Sequence, residues 1–597
     1  MADRPVRTAL DAALRSMALK EASPEAAMVP VPLETLAKAR AAAAPPPAAP
    51  ALVALKVLTQ AGRERDAADW IKAAGGTVGS SGPQVLLAEV PPAVLGRLDQ
   101  CPGMGRAEAP RRLQRRLDEA LGPVTGSAAA QARHSLDGTG VVVGIVDTGA
   151  DWSHPDFVDG SGHSRLEGFA WARQPPGSQV SQIDEHDAAA LDAALGGAGG
   201  VPPGDPQGHG THCASIAVGN GNASGGQFRG VATGARLFAV RSEPLLDTHT
   251  IWGIRRTFEL AGGRPAVVTL SLGGHLGPHD GTSALENVIA RESGPGRIVV
   301  VAAGNEGSDA IHFRGDLAAG EDLVIPVRIG DPDLQYVDVW IPRGDQVSVE
   351  IETPDGVRHP ADGSLVTTVF GLFEAHFQED PVNRDQNLTL FVAQGRTNFT
   401  WNIRIHADVA VHGEVHAWAG TIDPSTSAQL FVGGDDTRSI GMPATEERAL
   451  AVGSLVSRNR FDTTGGPLVS SLAVGQLSPF SSRGPTRYGA LKPDVAAPGQ
   501  YVTAALAAGS ELATHPAYLP RHHPSGRYIT IQGTSMATPF VAGVVALLLQ
   551  REPTLTPEDV QQRLRLTARR DAQTGRVWDA GFGFGKLDVE ALLDHQG

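Results

Sequence analysis

Four short stretches of this sequence carry residue types suited to covalent catalysis. Ser535 lies in "GTSMATPFVAGVVALLL" (533–549), between a tight turn and a long apolar run. His209 lies in "GHGTHCA" (208–214), Asp147 in "VDTG" (146–149) and Asn305 in "AAGNEG" (302–307). Each alone has a plain structural reading: a serine caps a helix, an aspartate after a strand makes an Asx turn, and a single histidine is usually structural. Together they offer an acid, a base and a hydroxyl in the order Asp…His…Ser. A serine hydroxyl is a weak nucleophile until a base takes its proton, and histidine suits that task near neutral pH. An acid beside the other ring nitrogen fixes the tautomer and stabilises the imidazolium. Ser535 is expected to cap the helix whose body is 538–550.

The surrounding elements must bring these residues together. Continuous apolar runs at 140–146, 236–241, 266–272 and 297–304 alternate with helical stretches at 183–195, 211–219 and 282–292, then resume at 449–455 with helices at 538–550, 557–567 and 588–594. Such runs indicate a parallel sheet covered on both faces, an α/β fold class. Asp147 and Asn305 fall just past strand ends, where open α/β sheets place their sites. Before this region, 51–109 reads β-α-β-β-α-β, the ferredoxin-like α+β order. Between about 308 and 435 the helices disappear. Alternating strands at 336–341, 346–352, 388–393, 400–406 and 413–420 predict an all-β insertion, a sandwich or jelly roll.

Four segments follow: an Ala/Pro-rich extension (1–50), the α+β unit (51–115), the α/β region (116–307 and 436–597) and the insertion (308–435). The 597 residues carry a net charge of −15, which argues against a nucleic-acid partner. "RRLQRR" (111–116), the one basic cluster, reads as a linker. Two cysteines, Cys101 and Cys213, provide no disulfide framework. The N-terminus has no apolar leader and no apolar run is long enough for a bilayer, so no membrane partner is expected. A cytoplasmic location is the expectation, with secretion the alternative if a leader has been trimmed.

Eight motifs resemble those of the subtilisin-type serine proteases (subtilases): "GIVDTGADWSHPDF" (144–157), "GHGTHCASIAVG" (208–219), "GVATGARLFAVR" (230–241), "SLGG" (271–274), "VVVAAGNEG" (299–307), "FSSRGPT" (480–486), "KPDVAAPG" (492–499) and "GTSMATPFVAG" (533–543). The triad order is that of subtilisin, and not the Ser…Asp…His order of an α/β-hydrolase. The resemblance implies a serine endopeptidase with Asp147, His209 and Ser535 as triad, and the Asn305 amide with the Ser535 N–H as oxyanion hole. It implies that Ser271, Leu272, Gly273 and Gly274 bind the substrate backbone, with Ala303, Gly304 and Gly441 around a pocket expected to take an apolar or aromatic side chain.

The same resemblance makes 51–115 a prodomain, an intramolecular partner whose C-terminal tail lies in the active site, with autocleavage within 109–128. Prodomain and insertion together resemble the Csp-type bacterial subtilases, which implies a processing or regulatory protease; a broad degradative protease and a pseudoprotease-type binding module are the alternatives. The expected partner is a protein or peptide substrate. Catalysis needs no cofactor; Asp156 matches a carboxylate that helps bind a structural Ca²⁺ in many subtilisins. Cys213 is expected to pack beside His209, His212 to be structural, and His406, His412 and His416 to sit on a solvated face. Oligomeric state is left open.

Overall fold

The computed structural model describes residues 9–10, 52–109, 114–115, 133–175, 181–328, 335–393, 396, 399–421 and 431–595. Most of the 1–50 extension, with the helix expected at 8–20, lies outside them; Ala9–Leu10 form a two-residue strand. In the α+β unit, β1 (Val53–Thr59), β2 (Thr77–Gly82), β3 (Val85–Val90) and β4 (Met104–Glu108) make a sheet in the order β4-β1-β3-β2, with Ala9–Leu10 parallel to β4 at its edge. Helix α1 (Glu64–Ala73) buries Ala67 and Ile71 against it. The second helix, Pro92–Gln100, is 3-10 and not α. Gly96 in the middle of this short segment weakens an α-helix, and the tighter turn prevails.

The main sheet has eight strands, introduced here in chain order: β6 (Val142–Asp147), β7 (Leu166–Arg173), β8 (Gln182–Asp187), β9 (Arg236–Glu243), β10 (Ala266–Leu270), β12 (Arg297–Ala302), β23 (Leu450–Val456) and β24 (Val495–Gln500). The short β11 (Leu272–Gly273) follows β10 outside this sheet. The spatial order is β24-β23-β12-β10-β6-β9-β7-β8, parallel except for β8. Its inner strands β6, β10 and β12 are near-continuously apolar because both faces are covered, whereas the edge strand β8 is charged. Val143 and Ile145 of β6 face α3 (His209–Val218) and α6 (Thr534–Arg551); Val142 and Val146 face α4 (Asp247–Ala261) and α5 (Ala284–Glu292).

Four departures from the sequence reading lie here. Only Ala188–Leu195 of the expected 183–195 helix is helical; the charged half, β8, pairs antiparallel with β7. Strands β7 and β24 and helix α4 are additional elements. In α4, Ile251, Ile254, Phe258 and Ala261 form the buried stripe, but His249 before it and the arginines and threonine within it mask the period.

The insertion is a sandwich of two antiparallel sheets, with strands β13 (His312–Asp316) to β22 (Glu414–Thr421). In β15 (Gln335–Ile341), Val337, Val339 and Ile341 enter the sandwich core while Trp340 joins Ile311 and Trp418 in a separate cluster. Strand β22 alternates likewise, with Val415, Ala417 and Ala419 in the core. The opposite face carries His416 and Trp418, and both are buried. This corrects the expectation of a solvated His416: that face packs on the α/β region, where Asp338 accepts the Gly277 N–H at 2.7 Å. His412 is exposed and His406 is half-buried.

Helix α6 is the central core helix. By length and composition it is apolar enough to cross a bilayer, more than the sequence reading allowed, but 89% of it is buried inside the protein.

Candidate active site

Asp147 is the last residue of β6 and His209 the first of α3. His209 Nδ1 and Asp147 Oδ1 are 2.6 Å apart, with both side chains almost fully buried. Gly208 precedes the helix at φ 98°, a left-handed turn that glycine makes without strain. The two loops are tied by Asp205, which the sequence reading did not single out. Its carboxylate accepts the Thr148 hydroxyl at 2.8 Å, the Gly208 N–H at 2.8 Å and the Thr211 N–H at 2.8 Å. Burial of the His209 ring opposes its protonation, but the Asp147 carboxylate, with the Cys213 sulfur, more than reverses this and holds the imidazolium well above the ordinary histidine value.

Ser535 is the second residue of α6, so it is not the cap; Gly533 takes that position at φ 156°. Carrying the serine inside the first turn sets it among N–H groups that have no helical acceptor. Its hydroxyl donates to the Ser271 carbonyl at 3.3 Å, and the Ser271 hydroxyl donates to the Ser535 carbonyl at 2.8 Å. The Cys213 thiol, 3.9 Å from His209 Nε2, also donates to that carbonyl, at 3.4 Å. His212 is fully buried beside the Val502 and Ile529 carbonyls, and burial lowers its pKa to about 3, which keeps it neutral.

The Asn305 side-chain oxygen accepts both the N–H and the hydroxyl of Thr534, each at 3.0 Å. A backbone N–H can only donate, so this contact fixes the amide with its NH₂ turned away from Thr534. Ala303 and Gly304 follow β12; Gly441 donates to the Ala303 carbonyl at 2.9 Å and Ser482 to the Gly304 carbonyl at 2.9 Å. Gly274 and Met442 exchange two backbone hydrogen bonds of 2.9 Å each. Strand 271–274, segment 303–305 and segment 441–442 are thus adjoining walls of one cleft. Thr534 and Glu306, which accepts the Asn305 N–H at 2.8 Å, are further supports that motif matching alone does not separate from their neighbours.

Strand β5 (Gln114–Arg115) lies on this cleft: Gln114 pairs with Gly273 and Arg115 with Leu272, antiparallel. The "RRLQRR" segment is therefore more than a linker. The remainder of the expected cleavage window is outside the described residues, apart from Ala109.

Among the described residues, Asp147, His209 and Cys213 are a group able to hold a metal ion, with ligand atoms within 4.8 Å of one another. The Asp156 position does not fit calcium. Its carboxylate is wholly buried and accepts the Tyr528 hydroxyl at 2.8 and 3.0 Å and the Ala223 N–H at 3.1 Å. Calcium requires a shell of oxygen acceptors, whereas hydrogen donors fill the space around Asp156.

The Subtilase family profile matches residues 138–331 and 398–585. The chain belongs to the subtilase family. Serine protease AprX of Bacillus subtilis is 25% identical over 483 residues, covering 80% of this chain and 72% of AprX. Minor extracellular protease Vpr of the same organism is 26% identical over 449 residues, 72% of this chain and 48% of Vpr. The solved CspB protease of Clostridium perfringens superposes with a TM-score of 0.63 at 25% identity, covering 78% of this chain and 94% of CspB. The subtilase is accordingly a serine endopeptidase acting on proteins or peptides, with a subtilisin-like fold, an α+β unit before it and an all-β insertion within it.

Proposed function

We propose that Ser535 is the nucleophile of this subtilase, with His209 as general base and Asp147 as its orienting acid. The observation that carries the reading is the buried 2.6 Å contact between His209 Nδ1 and Asp147 Oδ1. It makes Nδ1 the protonated nitrogen and leaves Nε2 to accept a proton. Nε2 takes the Ser535 hydroxyl proton as Oγ bonds to the peptide carbonyl carbon. The oxyanion is met by the Asn305 NH₂, held by Thr534, and the Ser535 N–H at the positive end of α6. Collapse expels the amine, which takes the proton from His209, and leaves an acyl-enzyme; water then repeats the sequence. Covalent labelling of Ser535 by a fluorophosphonate, lost in Ser535→Ala, tests this; unlabelled, well-folded protein sinks it.

The 51–115 unit is the proposed prodomain, and autocleavage releases its tail from the cleft. Pairing of β5 with β11 supports this, since a substrate strand would occupy the same edge. Continuing the antiparallel register by one position past Leu272 reaches Ser271, beside the Ser535 hydroxyl. In sequence the next residue is Arg116, so Arg116–Leu117 is the proposed scissile bond, with a basic residue where the glycine-walled pocket suggested an apolar one. A processing role is favoured over broad degradation because the insertion packs against residues that adjoin the cleft.

A further inference from the structure

A stack of buried rings runs from the insertion to the residue beside Asn305. His275 follows Gly274 directly, and its ring lies 5.2 Å from that of His279 with planes 11° apart. His279 lies flat on Trp418 of β22, centroids 3.9 Å apart and planes within 6°. Beyond Trp418 come His312 and His416, 5.1 and 5.9 Å away, whose facing nitrogens are 2.9 Å apart. At the other end, His275 Nε2 lies 3.2 Å from Glu306 Oε2. That carboxylate accepts the Asn305 N–H at 2.8 Å and the Ser482 hydroxyl at 3.0 Å.

The stack also adjoins two walls of the cleft. The His279 ring nitrogens face the Ile440 carbonyl at 3.0 Å and the His275 carbonyl at 3.2 Å. Trp418 Nε1 donates to the Arg438 carbonyl at 2.9 Å, just before the segment that ends at Gly441. Flat rings in face-to-face contact have few ways to shift, and a close-packed interior transmits displacement. A ring removed at Trp418 leaves His279, and through it residues 275 and 440, without a stop.

We propose that Trp418, His275 and Glu306 are positioning residues, through which the all-β insertion sets the oxyanion donor Asn305. The inference rests on the reading of Asn305 as an oxyanion donor. It makes the insertion a working part of the protease, contributing rigidity at a distance and touching no substrate.

The test uses the full chain and a fluorophosphonate, whose phosphoryl oxygen occupies the oxyanion position. Trp418→Ala and His275→Gln are expected to slow labelling about 10- to 100-fold, the scale of a small misplacement of catalytic groups. Trp418→Phe, which keeps a flat ring, restores most of the rate. Trp401→Phe, in the sandwich core outside the stack, lowers the melting temperature and leaves the labelling rate unchanged. The deciding measurement is the double variant: Trp418→Ala should add little to the loss caused by Asn305→Ala, because both act through one donor. Losses that multiply, or folded Trp418→Ala and His275→Gln proteins that label at the wild-type rate, overturn the proposal. Should Trp418→Ala fail to fold, His275→Gln and Glu306→Gln paired with Asn305→Ala give the same reading. Unchanged labelling of Asn305→Ala alone removes the oxyanion reading, whereas unlabelled wild type removes the triad.

Discussion

Pro539 lies four residues after Ser535 in α6, where a helix would use its N–H to satisfy the Ser535 carbonyl. Proline has none, and the carbonyl takes the Ser271 hydroxyl at 2.8 Å and the Cys213 thiol at 3.4 Å in its place. The helix that carries Ser535, the proposed nucleophile, is thereby fastened to the strand proposed to bind substrate and to the helix that carries His209. Ser271→Ala leaves this buried carbonyl with only a weak thiol donor, a cost of about 1–3 kcal/mol. A lower melting temperature and slower fluorophosphonate labelling are expected together, measured by calorimetry and gel fluorescence.

The pH profile should report the His209–Asp147 pair. His209 must be neutral to accept the Ser535 proton, so activity is lost as pH falls through its pKa. Because Asp147 raises that pKa, the acid limb of kcat/KM is expected above the ordinary histidine value of about 6.5. Asp147→Asn removes the raising charge: the limb moves to lower pH, and kcat falls by about 10⁴-fold because the wrong tautomer is favoured. A limb that stays in place would argue against His209 as the base.

The residues of the proposed triad were legible because each sits in a short motif at a strand end or helix start, where local sequence fixes the backbone. Ser535 was misread as a cap because serine is a good cap and Pro539 looked like a first-turn proline; the helix starts earlier because Gly533 turns the chain. Helix α4 and strand β7 were hidden by polar and aromatic residues on faces that the α+β unit and β8 cover. His416 was assigned to water because alternation predicts one wet face. Nothing in β22 itself tells that its second face meets the α/β region, and the ring stack joins residues more than a hundred positions apart.

Autocleavage has a specific expected product. N-terminal sequencing of purified protein should find a new terminus at Leu117, absent from Ser535→Ala. A terminus elsewhere in 109–128 would keep autoprocessing but reject the register argument, and an intact N-terminus in both proteins would reject both.

The cleaved prodomain is expected to stay bound. Lys56 of β1 is buried between Glu108 at 2.8 Å and Asp247 at the start of α4, and Arg106 of β4 pairs with Glu108 at 2.9 Å and with Asp380 of the insertion. Removing Asp380 takes away one of the two carboxylates that hold the buried Arg106 charge, at a cost below the roughly 3–5 kcal/mol of a charge left wholly unpaired. Asp380→Ala should therefore weaken retention, and size-exclusion chromatography of the processed protein should show the prodomain separating from the protease in that variant and co-eluting in wild type.

Calcium removal provides the last contrast. The Asp156 carboxylate is held by Tyr528, whose hydroxyl burial keeps protonated and therefore a donor. A hydroxyl donor here stabilises the buried carboxylate through short contacts, in the place where a cation would sit. Treatment with EDTA should leave the melting temperature unchanged, since ligand removal shifts stability only where the folded state binds the ligand. Tyr528→Phe should lower it, because a hydrogen bond to a charged group is worth about 1.5–3 kcal/mol and the carboxylate has no water to turn to. A large fall with EDTA that added calcium reverses, in protein with Asp156 intact and lost in Asp156→Asn, would show instead that the cation displaces the Tyr528 hydroxyl.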